Sequence, residues 1–509
     1  MKRAPWLLGL AFLLVPAGVL QARSRKVEPA ASFVEETTRI PLLGNVPVYH
    51  PEPVSLSRGL ILFISGDGGW KLGVVPMAQR LAGKALVVGI PMTSWREQTE
   101  KHAESCWYPA GELEAMAQAV EKVYKFPHYL PPILVGYSSG ATVVYGALAQ
   151  APAGTFAGGV SLGFCPDLGV KRPICSRGSW KPSYDPKKKL SLLPDHAELK
   201  PGLGGAPSWI ALQGQVDQVC SPQEVDQFVA TVPSAKVVRL PKVGHGFGVL
   251  KNWGEAFDRA VATYLEPETA WSPPRRTEPP SAPNLAPDEI RKRLASLDLP
   301  LVVSWPRDAG DVLIFVSGDG GWMELDREVA SRLHTAGVAV VGWSTLRYFW
   351  EAKKPAEFSA DLGRVVEALP DPLRVFAGGY SFGAEVVPVC LAADRSGGGS
   401  LTRLVGLILV GPGPYADFEV SPLDWIFTNS TPTRFPVATA LEKERQRPIL
   451  CIESSASGPS GCPKGKRPNL HRVRLPGSHH FGGDYATLAA KIVEFIGKVE
   501  RKSKGEKRF

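Results

Sequence analysis

The chain repeats itself on the scale of a whole domain, and that limits its possible folds more than any other feature. The hexapeptide SGDGGW occurs at Ser65–Trp70 and again at Ser317–Trp322, each time directly after a run of branched apolar residues. Placing the two copies in register aligns PPILVGYSSGATVVYGALA (131–149) with LRVFAGGYSFGAEVVPVCLA (373–392) and GGVSLGFCPDL (158–168) with VGLILVGPGPYADF (405–418). It also aligns SWIALQGQVDQVCSP (208–222) with PILCIESSASGPSGCP (448–463) and VVRLPKVGHGFG (237–248) with RVRLPGSHHFGG (472–483). A unit of about 200 residues is too long for a solenoid repeat, so the chain reads as two copies of one domain.

Length agrees, since 509 residues exceed what a single core supports. With 44% apolar and 21% charged residues the chain is of ordinary globular composition, which excludes global disorder. The expected organisation is a signal peptide at 1–22, an N-terminal extension at 23–58 and a first domain at 59–266. A Pro-rich linker at 267–299, a second domain at 300–498 and a basic tail at 499–509 complete it. The signal reading rests on Lys2 and Arg3 ahead of the apolar Trp6–Leu20 and the small-residue end at Ala22, and it implies an exported, periplasmic protein. Export permits disulfides, and among the seven cysteines Cys165–Cys175 and Cys451–Cys462 close short loops. No CxxC pair occurs, so neither a metal nor any other cofactor is expected. The net charge of +9 suits an anionic membrane surface or plain solubility. No nucleic-acid-binding motif accompanies it, and nucleic acid is not expected as a partner.

Within each copy, short β-branched runs alternate with helical patterns. Leu60–Ile64 and Ala85–Ile90 read as buried strands. Leu113, Met116, Ala117, Val120 and Tyr124 share one helix face, as do Phe358, Leu362, Val365, Val366 and Leu369. Strand–helix alternation requires crossover connections, so the expected class is α/β: two tandem α/β-hydrolase-like domains, each a mainly parallel sheet with helices on both faces.

Two G-x-S-x-G motifs carry the chemistry, Gly136–Gly140 around Ser138 and Gly379–Gly383 around Ser381. Each follows an apolar strand and opens a helix, which is the context of a nucleophile elbow. A serine hydroxyl needs a base and an acid behind it, in the chain order Ser, acid, His. The first copy supplies Ser138, Asp217 and His245. In the second, alignment on the shared Leu-Pro places His480 opposite His245, with His479 beside it. The segment opposite Asp217, IESSASGPSGC, has Glu453 as its single acid, several residues early; the alternatives are an acid from elsewhere, such as Asp417 or Asp424, or none. The oxyanion hole is expected from the amides of Ser139 and Phe382 together with the glycines of the repeated turn, Gly68, Gly69, Gly320 and Gly321. Asp67 and Asp319 either cap the following helix or face the pocket to meet a cationic group.

These residues resemble the VirJ/AcvB family of bacterial virulence-associated, exported α/β-hydrolases. The motifs carrying the resemblance are SGDGGW, GYSFGAEVVP (379–388), TLRYFW (345–350) and LPGSHHFGGDY (475–485), with GYSSGATVVYGALAQAPAGTFAGG and LGFCPDL in the first copy. The two-domain layout is similar to the longer AcvB type. The resemblance implies a periplasmic serine esterase that removes lysine from lysyl-phosphatidylglycerol through Ser381, with an anionic membrane lipid as substrate and peripheral membrane contact. Asp67, Asp319, Trp322, Arg347 and Tyr348 are then the substrate-binding candidates. The sequence departs from the family in the stretch between the last two cysteines, where an acid-rich segment is replaced by IESSASGPSG. The alternatives are a general carboxylesterase or dienelactone-hydrolase-like enzyme, and a non-catalytic periplasmic secretion or virulence factor.

Overall fold

The computed structural model describes residues 33–40, 43–71, 73–101, 106–201, 206–266, 287–394, 399–420, 434–455, 458–465, 467–477 and 479–505. The signal segment, most of the linker and the end of the basic tail lie outside them.

The first domain is built on Phe33–Ile40 (β1), Gly44–Pro51 (β2), Leu60–Ile64 (β3), Leu86–Ile90 (β4), Ile133–Tyr137 (β5), Gly158–Leu162 (β6), Trp209–Gly214 (β10) and Ala235–Leu240 (β11). Between β6 and β10, Asp167–Gly169 (β7), Ser183–Asp185 (β8) and Leu190–Leu192 (β9) form a small antiparallel sheet of their own. The main sheet runs β1-β2-β4-β3-β5-β6-β10-β11. It is parallel from β4 onward and antiparallel at the β1–β2 edge. The stretch expected as an extension before the domain therefore supplies two of its strands.

The second domain uses Leu301–Ser304 (β12), Asp311–Val316 (β13), Val338–Trp343 (β14), Arg374–Tyr380 (β15), Leu404–Val410 (β16), Ile449–Ser454 (β19) and Leu470–Leu475 (β20), with the small pair Tyr415–Ala416 (β17) and Phe435–Pro436 (β18). Its order, β12-β14-β13-β15-β16-β19-β20, repeats the six parallel strands of the first sheet in the same permutation. Only the antiparallel edge differs. The helix Pro287–Ala295, which falls in the stretch expected as linker, packs Ile290 and Leu294 into this domain's core. The chain is thus α/β, with two mainly parallel sheets each covered on both faces.

The strand sequences explain the layering. All five residues of β3 and of β4 are buried, as expected where crossover helices cover both faces of a parallel sheet. Leu60, Leu62 and Ile64 face the helices Pro109–Val123 and Ser139–Gln150, while Ile61 and Phe63 face Met77, Phe257 and Val261. In the second sheet Val312, Ile314 and Val316 alternate with Leu313 and Phe315 in the same way.

The two domains touch. Trp350 donates its indole N–H to the Phe126 carbonyl at 2.8 Å, and Lys122 lies 4.6 Å from the Trp350 ring while pairing with Glu419 at 3.0 Å. Arg177 reaches Glu324 at 3.4 Å.

The disulfides are Cys106–Cys175, Cys165–Cys220 and Cys451–Cys462, and Cys390 is a buried free thiol. The expected Cys165–Cys175 bridge is replaced because the backbone of Cys175 donates to the Trp107 carbonyl, next to Cys106. Cys165 instead follows β6, whose neighbour β10 leads to Cys220.

Candidate active sites

Both serines sit on tight strand-to-helix turns with positive φ, 56° at Ser138 and 52° at Ser381. Such a conformation is costly for a residue with a side chain. The flanking glycines make it attainable: a Cβ on Gly136 would stand 2.2 Å from the Gly140 carbonyl oxygen, and one on Gly383 2.0 Å from the Val316 oxygen. The strand, the turn and the neighbouring loop are pressed together there, and each serine projects from the C-terminal edge of its sheet.

In the first domain the three predicted residues meet. His245 Nε2 lies 3.0 Å from Ser138 Oγ, and His245 Nδ1 lies 2.9 Å from Asp217 Oδ2. Asp217 is 6% exposed. Its Oδ1 accepts from the amides of Val219 (2.8 Å) and Cys220 (3.0 Å), and its Oδ2 from Gln213 Nε2 (3.1 Å). These donors hold the carboxylate in the orientation that aligns the imidazole. The Cys165–Cys220 bridge ties down one of them. Asp217, Cys220 and His245 lie close enough to suggest a metal cluster. The cysteine, however, is consumed in a disulfide, and the other two side chains bond each other.

In the second domain the base is His479, which corrects the expectation of His480. His479 Nε2 stands 2.8 Å from Ser381 Oγ, whereas His480 Nδ1 lies 3.3 Å from the Tyr380 hydroxyl. The loop after β20 is one residue shorter than the loop after β11. Alignment on Leu-Pro therefore misplaces the histidine, while alignment on the His-x-Phe-Gly that ends both loops places it correctly. Phe247 and Phe481 share a positive φ, and Tyr137 and Tyr380 donate to the carbonyls of His245 and His479. Burial and the neighbouring His480 depress the pKa of His479, against a smaller upward pull from Asp319.

Glu453 is not the acid of this site. It is a β19 residue whose carboxylate pairs with Arg472 at 2.7 Å, and the strand register makes it the counterpart of Gln213. Asp417 pairs with Arg434, and Asp424 lies outside the described residues. Among the described residues no carboxylate bonds His479. The position matching Asp217, three residues past its strand, is occupied by Ser457 in the sequence.

The repeated turn approaches the serines by its first glycine. A Cβ on Gly66 would lie 3.0 Å from Ser138 Cβ, and one on Gly318 3.7 Å from Ser381 Cβ. The Gly69 and Gly321 amides, expected in the oxyanion hole, are consumed within the turn by the Gly66 and Gly318 carbonyls, and the Gly320 amide donates to Asp319. Gly68 has no atom within 4 Å of its added Cβ. Gly66 and Gly318 are therefore the loop residues at the nucleophile. Ser139 and Phe382 open their helices, where an amide has no intrahelical acceptor and stays available to an oxyanion. Ser65 and Ser317 anchor the turn by accepting from the amides of Met92 and Thr345.

The remaining candidates divide. Asp67 is not free to meet a substrate cation, because Arg96 pairs with it at 2.9 Å. Counting from the matching Met92 and Thr345 bonds, the residue at the Arg96 position in the second domain is Phe349, and Asp319 has no basic partner among the described residues. Tyr348 is 7% exposed, donates to Asp361 at 2.7 Å and packs among Trp343, Phe349 and Phe358. It is a core residue rather than a substrate contact. Trp322 lies on Gly342 of β14, where an added Cβ would come within 2.4 Å of its ring. Trp322 and Arg347 both line a cavity between the domains. Sequence reasoning missed Glu385, four residues past Ser381. Burial and, after it, Asp319 and Asp417 push its carboxyl up to about 7, and it accepts from the Gly413 amide at 2.8 Å.

Comparison with known proteins bears on the second domain. Residues 310–500 match the family described as bacterial virulence protein (VirJ). The second domain belongs to the VirJ family. No curated protein matches the sequence. Among solved structures, a lidless α/β serine hydrolase of Xanthomonas campestris is 21% identical, covering 46% of this chain and 95% of its own, with a TM-score of 0.28. Est1E of Butyrivibrio proteoclasticus is 14% identical over 40% of this chain and 94% of its own, with a TM-score of 0.30. The VirJ domain thus contains the serine–histidine dyad, and the complete triad lies in the domain before it. No helix among the described residues is long and apolar enough to cross a membrane.

Proposed function

We propose that the protein is an exported serine hydrolase of the two-domain AcvB type. It acts in the periplasm on the aminoacyl ester of an aminoacylated phospholipid, with lysyl-phosphatidylglycerol as substrate and Ser381 of the VirJ domain as nucleophile. The observation that carries this reading is the Ser381–His479 contact in a domain whose nearby carboxylate, Asp319, lacks the arginine that neutralises its counterpart. His479 takes the Ser381 proton as Oγ attacks the aminoacyl carbonyl. The Phe382 amide and the Gly318 end of the turn stabilise the oxyanion. The lipid glycerol oxygen leaves with the proton from His479. Water, deprotonated by the same imidazole, then releases the amino acid. The basic net charge favours peripheral contact with an anionic bilayer.

The complete triad of the first domain, with Asp67 neutralised by Arg96, favours a second activity there, a carboxylesterase for uncharged esters. Vesicles containing lysyl-phosphatidylglycerol test the assignment. Lysine release should disappear in Ser381→Ala and persist in Ser138→Ala, and undiminished release from the double variant would overturn it. A fluorophosphonate probe separates both readings from a non-catalytic accessory role, in which neither serine would be labelled.

A further inference from the structure

The cavity between the domains, of about 930 Å³, has walls from both. The second domain contributes Gly320, Gly321 and Trp322 of the repeated turn, whose other end touches Ser381. The first contributes Glu114 and Tyr129. Glu114 lies on the helix Pro109–Val123, and no basic side chain pairs with it among the described residues. Its enclosure between the domains, and then the charge of Asp319, push its carboxyl up to about 8. Tyr129 is 5% exposed; its ring lines the cavity while its hydroxyl is buried behind the wall, without a hydrogen-bond partner among the described residues. Its phenol is also raised by burial and next by Glu114. A carboxyl held between the domains with no basic side chain paired to it is costly to ionise until a cation joins it. Asp319 is within electrostatic reach of Glu114 on one side and of His479 on the other. The same cavity carries Arg327 and Arg347, so it offers both signs of charge.

We propose that this cavity is the binding site for the substrate's ammonium group, and that the first domain completes it. Glu114 accepts hydrogen bonds from the ammonium of the aminoacyl chain, and Asp319 belongs to the turn that runs from the cavity wall to Ser381. Arg327 and Arg347 suit the phosphodiester of the same head group. An ammonium group supplies the donors that Glu114 lacks, and a neutral acyl chain of equal length supplies none. Glu114 is then a specificity-determining residue contributed in trans from the neighbouring domain. This assignment rests on the aminoacyl-ester reading of the VirJ domain.

The test separates binding from hydrolysis. Lysinamide, which keeps both ammonium groups of lysine and resists turnover, is titrated calorimetrically into the full-length Ser381→Ala protein, with hexanamide as the uncharged match. Lysinamide is expected to bind and hexanamide not. Glu114→Gln should weaken lysinamide about tenfold, the cost of one charged hydrogen bond, and Glu114→Asp should recover part of that loss. In the active protein, Glu114→Gln should lower the kcat/KM ratio of glyceryl lysinate to glyceryl hexanoate by a similar factor, through KM. Equal binding of lysinamide with and without Glu114, or none at all, overturns the site even where lysyl-lipid hydrolysis is observed. Glu114-dependent binding without any ester turnover supports the site and counts against the hydrolase reading alone.

Discussion

Asp217→Asn isolates the contribution of the acid in the first domain, because the structure dictates how the new side chain must sit. The amides of Val219 and Cys220 both donate to Oδ1, at 2.8 and 3.0 Å. An asparagine must keep its oxygen there, which directs its NH2 group at His245 Nδ1, where Oδ2 now lies 2.9 Å away. The imidazole would then have to accept at Nδ1 and carry its proton on Nε2, the atom that must take the proton from Ser138. The fold is retained but the base holds the wrong tautomer. In the one well-measured triad of this kind, such a replacement lowers kcat by about 10⁴, or about 5.5 kcal/mol of barrier. With the second site silenced by Ser381→Ala, hydrolysis of p-nitrophenyl acetate and the rate of fluorophosphonate labelling at Ser138 should both fall by that order. The melting temperature should change little. An Asp217→Asn protein within about tenfold of its parent would refute the claim that this carboxylate sets the histidine tautomer.

Three further outcomes are expected. In a Ser138→Ala background, His479→Ala should reduce labelling of Ser381 by about 10³ or more, while His480→Gln and Glu453→Gln each leave most of it. Because His479 is depressed below the usual histidine value by burial and His480, and only its neutral form accepts a proton, the acid limb of the VirJ-domain pH–rate profile should lie below about 6.5. His480→Gln should move that limb upward. Asp326 is 2% exposed, and burial pushes its carboxyl up to about 7. The unfolded chain ionises it near 4, so folding is increasingly opposed as pH rises from about 4 to 7 and evenly opposed above that. Asp326→Asn should therefore raise thermal stability at pH 8, by an amount on the order of 1–4 kcal/mol, and have little effect at pH 4 in differential scanning calorimetry.

The central architecture is legible in the sequence through repetition. Two elbows in the same strand–turn–helix context, each preceded by SGDGGW, implied one domain used twice, and the six parallel strands follow the same order in both sheets. The edge strands β1 and β2 were missed because FVEETTRI alternates weakly and leaves most of its residues exposed. The misplaced histidine arose from a single-residue deletion, which an alignment anchored on one side cannot detect. The fate of the aromatics in RYFW depended on information no local pattern contains. Neighbouring positions enter a core (Tyr348, Phe349), an interdomain bond (Trp350) and a cavity wall (Arg347). Glu114 resembled any solvent-facing helix residue, since what encloses it comes from the other half of the chain.

The two halves have diverged at the residues that set the field around the nucleophile, while the backbone that presents it has been kept. Both retain the glycine pair, the serine at positive φ, the tyrosine behind it and the anchored turn. In the first, each carboxylate has a partner: Asp217 bonds His245 and Asp67 pairs with Arg96. In the VirJ domain the arginine has become Phe349, buried in an aromatic cluster. The threonine four residues past the serine, Thr142, has become Glu385. Asp319 and Glu385 now lie close enough to raise the latter's pKa, a repulsion that a cation would relieve. The paired carboxylate that stabilises a histidinium in the first site has no counterpart bonded to His479, and the remaining upward pull on that histidine comes from Asp319. Under the proposed function, Asp319, which has no basic partner among the described residues, both attracts the cationic substrate and favours the imidazolium that forms as Ser381 attacks.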